Sequence, residues 1–216
     1  MLRKSFVCIG MWIMLMGALV APQSLYAQCV TPPSGMVAWW PGDNSTNDII
    51  NHNNGELKGT ATYDNGKVVD AFLLANYGDY VRVPYDPNGK LDFGEGDLTI
   101  DAWIKTSSTS SDFLTIVDKR AINHTRGYTM YITLGGGGLA IEFMAGSGSG
   151  YVWASNNFDH LRDNDWHHVA ITVDRDSPTG GKMYVDGQLD YTFDPTKVTG
   201  DISTSCPLCI GRICGG

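Results

Sequence analysis

The chain has 216 residues, 43 % of them hydrophobic and 18 % charged, with a formal net charge of −8. That length buries one core of ordinary size, and that composition is of a folded rather than a disordered chain. The acidity excludes nucleic acid and anionic membrane as main partners, since both repel a surface of their own sign.

At the N-terminus, Arg3 and Lys4 precede an almost wholly apolar run, Phe6 to Val20, which Pro22 breaks. Leu25-Tyr26-Ala27 then offers a small residue at a cleavage site. This three-part pattern is that of a secretory signal peptide, and the run is shorter than the ~20 residues of a membrane span. Residues 1–27 are therefore expected to be removed, leaving 28–216 as one exported, extracellular domain with no membrane insertion after cleavage. Cys8 leaves with the signal, while Cys29, Cys206, Cys209 and Cys214 remain. In an exported protein these read as disulfide cysteines, and their possible pairings are not separable by spacing. The Cys206-x-x-Cys209 pair lacks the second pair or the histidines of a zinc site.

After the first apolar stretch comes a loop with Asp43, Asn44, Asp48, Asn51, Asn53 and Asn54. Hard oxygen donors of this kind suit Ca²⁺, but Asn and Asp also favour turns for backbone reasons. The spacing is not that of a helix–loop–helix calcium site. Further on, Leu98, Ile100, Ala102 and Ile104 alternate with Thr99, Asp101, Trp103 and Lys105, as in a half-buried strand. Tyr128 to Leu134 and Leu139 to Ala145 flank the run Gly135 to Gly138, which reads as a hairpin. No Lys-Ser/Thr follows these glycines, so a phosphate loop is excluded. Trp166 to Phe193 holds a second hairpin system, with Asp186-Gly187 as a two-residue turn of type I′. No segment keeps a helical apolar period. The fold class expected is all-β, with the Ser107–Ser111 and Gly146–Gly150 stretches as mobile loops.

The aromatic residues Trp103, Tyr131, Tyr151, Trp153 and Tyr184 are candidates for a sugar-stacking face, because an aromatic plane buries the apolar side of a sugar beside a polar rim. Trp153 lies between a Gly/Ser-rich and an Asn-rich stretch and is expected to be exposed. Tyr151, Trp153, Asn156 and Asn157 form the candidate binding set. His167 and His168 are strand neighbours that point to opposite faces, so they cannot chelate one ion together. Glycoside hydrolysis needs two carboxyl groups flanking one bond, and Glu142 is the only Glu in a strand-like segment.

Three stretches together carry a family resemblance. Gly35-Met36-Val37-Ala38-Trp39-Trp40-Pro41-Gly42-Asp43 resembles the first strand of laminin G-like, concanavalin A-like domains of bacterial exported proteins. Tyr77-Gly78-Asp79-Tyr80-Val81-Arg82-Val83-Pro84, followed by Leu98 to Ile104, is similar to their next strand pair. Asp165-Trp166-His167-His168-Val169-Ala170, with Tyr184-Val185-Asp186-Gly187, resembles their central hairpin. The resemblance runs from about Val30 onward. It implies a two-sheet antiparallel β-sandwich, a jelly roll, acting as a non-catalytic extracellular binding module. Glycan or an extracellular protein surface is the expected partner. It implies a structural role for His167 and His168, and it makes Asp43 and Asp79 the candidate ligands should the domain take Ca²⁺ as a cofactor. Hydrolases of this superfamily carry a Glu-x-Asp-x-x-Glu strand, which is missing here. The family runs past Ile210-Gly211-Arg212 into a closing strand, Gly-x-Ile-Asp-Glu-Val, so this sequence is expected to lack its last strand. Because first and last strands of a jelly roll lie together, Cys29 is expected to pair with Cys206, Cys209 or Cys214. The alternative function is a structural interaction domain of a larger exported protein; a glycoside hydrolase or lyase stands third.

Overall fold

The computed structural model describes residues 31–88, 90–110, 112–133, 137–146, 150–155 and 161–214. The chain divides into Met1–Ser34 and Gly35–Gly216, and every described strand belongs to the second unit. The expected signal segment and Cys29 lie outside the described residues.

The strands in chain order are β1 (Glu56–Lys58), β2 (Thr62–Asn65), β3 (Asp70–Leu73), β4 (Tyr80–Val83), β5 (Leu98–Ile104), β6 (Leu114–Arg120), β7 (Arg126–Ile132), β8 (Leu139–Ala145), β9 (Gly150–Ala154), β10 (His167–Val173), β11 (Gly181–Val185), β12 (Gln188–Phe193) and β13 (Leu208–Ile210). The one helical element among the described residues is a 3-10 turn, Pro195–Lys197, capped by the Asp194 carboxylate accepting from Thr196 N–H. No helix there is long and apolar enough to cross a membrane. One antiparallel sheet has the order β1-β4-β13-β6-β7-β8-β9, a second the order β12-β11-β10-β5, and β2 with β3 forms a separate hairpin.

The alternation read in β5 and β10 is the reason these strands sit in a sandwich. In β10, Val169, Ile171 and Val173 face inward and the residues between them face out. They meet Leu98 of β5 and Met183 of β11, and across the gap Met130, Ile132, Ile141 and Phe143 of β7 and β8, in one core cluster. Asp186 (φ 50°) and Gly187 (φ 78°) both occupy the left-handed region, as the type I′ turn between β11 and β12 requires.

The stretch Gly35–Trp40, expected as the first strand, pairs with no ladder among the described residues. A buried carboxylate holds it instead. Asp48 is 0 % exposed and accepts from Trp39 N–H (2.9 Å), Ile50 N–H (2.9 Å), Asn51 N–H (3.2 Å), Asn53 N–H (3.0 Å) and Asn53 Nδ2 (2.7 Å). Burial alone would raise its pKa, but the N–H groups of Trp39, Ile50 and Asn53 outweigh it and hold the carboxyl below its ordinary range. Trp40 then reaches Asn53 O through Nε1 at 2.8 Å and packs with Val37 on the core.

His167 and His168 diverge as expected from a strand. His167 is buried, with Nδ1 2.8 Å from Asp186 Oδ2 and Nε2 3.1 Å from Asp163 Oδ1. Burial pulls its pKa down, and the two carboxylates push it up by more, so the net shift is upward from 6.5. A raised folded pKa contributes stability that is complete below the unfolded pKa and is lost as pH rises through the folded one. The denaturant midpoint is therefore expected to fall as pH rises above 6.5, and His167→Gln should flatten that fall. Equal slopes for both proteins would contradict the assignment.

Among the described residues a disulfide joins Cys209 to Cys214, with Cα atoms 5.4 Å apart, and Cys206 has no disulfide partner there.

Candidate functional site

The face of the large sheet turned away from the core carries a row of buried polar residues, Asp118, Arg120 and Thr129. Register places Cys209, Asp118, Thr129 and Glu142 side by side across β13, β6, β7 and β8. Arg120, two residues beyond Asp118 on the same face, joins the row together. Its Nε donates to Asp118 Oδ2 at 2.6 Å and its Nη1 to Glu142 Oε2 at 2.7 Å. Asp118 Oδ1 accepts from Arg120 N–H (3.2 Å) and Cys214 N–H (3.3 Å), so the disulfide loop seals a carboxylate that is 0 % exposed. Gly127 stands opposite Arg120, where a Cβ would lie 2.1 Å from Lys119 O; only glycine lets the two strands pair there.

The next row is Thr115, Tyr131, Ala140 and Ala154, across β6 to β9. A bulge between Thr115 and Val117 keeps Val117 in the core while turning Thr115 outward. Phe113, just before β6, then lies edge-on to Tyr131, with centroids 4.9 Å apart and planes at 68°. The resulting groove of about 250 Å³ has Phe113 and Tyr131 as its aromatic wall, Arg120 and Glu142 as its polar floor, and His124 and Ile213 at its margins. Phe113 is 49 % exposed. Burial first, and Glu142 second, push the Tyr131 phenol upward against the opposing pull of Arg120, so it stays a hydroxyl donor. Among the described residues nothing bonds the Tyr131 hydroxyl or Glu142 Oε1, which leaves both for a ligand.

Arg162 builds the wall. Its Nη1 donates to Ser108 O (3.2 Å) and Ser110 O (2.7 Å), and its Nη2 to Asp112 O (3.3 Å) and Thr133 O (2.8 Å). One guanidinium thus ties the serine-rich stretch, expected to be mobile, to the end of β7, and so sets where Phe113 stands.

The structure corrects the expected exposure of one member of the candidate binding set, Trp153. Trp153 is 5 % exposed, not a surface platform: register sets it opposite Ile141 on the core side of β9, stacked on Phe193 at 4.8 Å. Tyr151, two residues earlier, shares that side; it is 43 % exposed at the margin, with Lys197 Nζ 4.9 Å above its ring. Asn156 and Asn157 lie outside the described residues. The other aromatic candidates are scattered rather than joined. Trp103 is on the outer face of the small sheet with His168 at 5.2 Å and Lys67 Nζ at 5.0 Å, whereas Tyr131 alone is in the groove.

Among the described residues Asp43 and Asp79 belong to no group of three Asp, Glu, His or Cys side chains. Asp43 Oδ1 accepts from Asp70 N–H at 3.2 Å. Asp79 is buried and accepts from Thr60 N–H (2.6 Å), Thr60 Oγ1 (2.9 Å) and Asn76 N–H (2.8 Å). Burial raises its pKa, and these donors outweigh burial, so the net shift is downward. The oxygens of both residues close loops. A second hollow, about 270 Å³, lies between Leu139, Leu161, Val185 and Leu189. Of its polar groups, Asp186 is already committed to His167 and to His168 N–H (2.9 Å), and no aromatic side chain lines it.

A family model described as the concanavalin A-like lectin/glucanases superfamily matches residues 75–215. No curated protein sequence matches the chain. Several solved structures share the fold. The binding domain of Paraclostridial Mosquitocidal Protein 1 aligns with a TM-score of 0.63 and 18 % identity, over 76 % of this chain and 41 % of that one. The binding domain of botulinum neurotoxin DC, solved in complex with SialylT, gives 0.57 and 20 %, over 76 % and 40 %. A structure of botulinum neurotoxin type C, whose passage into cells depends on interaction with two ganglioside molecules, gives 0.54 and 17 %, over 76 % and 39 %. This chain spans about two fifths of each, and at these identities the likeness is one of fold.

Proposed function

The chain belongs to the concanavalin A-like lectin/glucanases superfamily, and on that premise we propose that it is an exported, non-catalytic carbohydrate-binding module whose ligand lies in the groove over β6, β7 and β8. The observation that carries the reading is the exposed Phe113 ring set edge-on to Tyr131 above the Arg120–Glu142 pair. A sugar ring offers an apolar C–H face and a rim of hydroxyls. Phe113 meets the first, and the Tyr131 hydroxyl with Glu142 Oε1 meets the second. The binding domains of similar fold, one of them with SialylT bound, support the same ligand class.

Hydrolysis is a poor fit to this groove. It needs two carboxyl groups facing one glycosidic bond, roughly 5–10 Å apart. Glu142 lines the groove with its side chain 13 % exposed, but Asp118 is shut beneath Arg120 and the Cys214 amide. Calcium has no part in the proposal.

Probing a glycan array with the purified domain tests the reading. The domain is expected to bind glycans, and Phe113→Ala to weaken binding about tenfold, which is the scale of one aromatic contact. Its melting temperature should hold, because a half-exposed side chain adds little to the core. Undiminished binding by Phe113→Ala would move the site elsewhere. Release of sugar from a polysaccharide would make the protein an enzyme.

A further inference from the structure

The charge of the groove narrows the ligand class, an inference that rests on the carbohydrate-binding reading above. Arg120 is the one guanidinium or ammonium lining the groove among the described residues, and it is shared between two carboxylates, Asp118 and Glu142. Two negative charges against one positive leave the cluster at −1. Asp118 is 0 % exposed, so solvent does not screen it, and Glu142 is nearly as enclosed, with its side chain 13 % exposed. Arg120 is held by these two carboxylates through Nε and Nη1, its side chain is 7 % exposed, and turning those two donors toward an incoming carboxylate would release a buried one. The group the groove does present is Glu142 Oε1, which as a carboxylate oxygen accepts hydrogen bonds and donates none.

We infer that this groove selects uncharged glycans and rejects acidic ones such as sialylated, uronic-acid or sulfated glycans, with Glu142 as the discriminating residue. Vicinal hydroxyls of a neutral sugar donate to Glu142 Oε1 and accept from the Tyr131 hydroxyl. An acidic sugar seated against Phe113 would put its own anion beside Glu142 in a partly enclosed site. Repulsion between like charges there costs far more than on an open surface. The formal net charge of −8 acts in the same direction at long range, slowing the approach of anionic ligands. His124 is the remaining lining residue able to carry positive charge. Repeating the comparison in a His124→Gln background removes that charge.

The experiment measures the affinity of the whole exported chain at pH 8 for a neutral glycan identified on an array. It then measures the same glycan capped with sialic acid and a uronic-acid analogue, each against the native domain and Glu142→Gln. Gln keeps an acceptor for Arg120 Nη1, and an unchanged melting temperature will show that the variant folds. The native domain should prefer the neutral glycan by tenfold or more. In Glu142→Gln that preference should shrink about tenfold, by weaker binding of the neutral glycan and stronger binding of the acidic ones. Equal or tighter native binding of acidic glycans overturns the inference and leaves the carbohydrate reading standing. A preference that Glu142→Gln does not alter overturns the role of Glu142. Binding to no glycan of either kind removes the carbohydrate reading, and this inference with it.

Discussion

Trp153→Ala is expected to destabilise the domain by about 3–5 kcal/mol, the range for deleting a buried Trp or Phe side chain. The indole is 5 % exposed and touches three other rings: Phe193 at 4.8 Å, Tyr151 at 5.0 Å and Phe143 at 5.4 Å. Phe193 belongs to β12 of the small sheet and Phe143 to β8 of the large one, so the substitution opens a void between the two sheets. These neighbours are held by their own strands and cannot close it. Urea denaturation should show a lower midpoint with little change in slope, while glycan binding at temperatures where the variant is folded stays near the native value. A loss under about 1 kcal/mol would mean that Trp153 is a surface residue after all, and would return β9 to consideration as a binding edge.

Asp48→Ala should cost as much, about 3–5 kcal/mol, for a different reason. Removing one carboxylate strands the N–H groups of Trp39, Ile50, Asn51 and Asn53 together; a buried donor left without a partner, as at Asn53, costs about 1–3 kcal/mol, and the three partly exposed ones, which water reaches in part, cost less each. Asp48→Asn keeps an acceptor but loses the charge, so it should fall between the two. The segment Gly35–Trp40 depends on this carboxylate, so Asp48→Ala should also shift the tryptophan fluorescence before global unfolding. The pH dependence has a fixed sign. The folded pKa lies below the ordinary carboxylate value, so the contribution of Asp48 is present above that value and lost as pH falls through the folded pKa. Stability and fluorescence indistinguishable from native would show the loop does not hold the segment.

The strands of the small sheet are legible in the sequence because their signal is local. In β5 and β10 every second residue is apolar, and the type of turn at Asp186-Gly187 follows from two adjacent residues. The groove is not legible, because it exists only once three strands are in register. Asp118, Arg120, Thr129, Tyr131 and Glu142 are spread over twenty-five positions, on a sheet face that the disulfide loop and Phe113 cover, so the usual polar-out pattern is replaced by a buried ion-pair row. Tyr131 and Glu142 each stand out singly in the sequence, without the neighbours that give them a role. Trp153 misleads because its flanks are rich in Gly, Ser and Asn, as an exposed residue's often are. A strand exposes or buries by parity, and the pairing of Trp153 with Ile141 decides it. The Asn/Asp loop is ambiguous in the sequence for a related reason: the oxygens that would suit calcium equally suit backbone N–H groups, as the carboxylate of Asp48 does.

The most direct test of the account is to see where the ligand lands. Titrating the isotopically labelled domain with the tightest neutral glycan from the array, and following its NMR resonances, should move the ring signals of Phe113 and Tyr131 and the side-chain signals of Arg120 together, in a single saturable step. Trp153 and Tyr151 should stay in place. Shifts centred on Trp103 or Tyr151 with the groove unmoved would contradict the assignment of the binding site to the face of β6, β7 and β8.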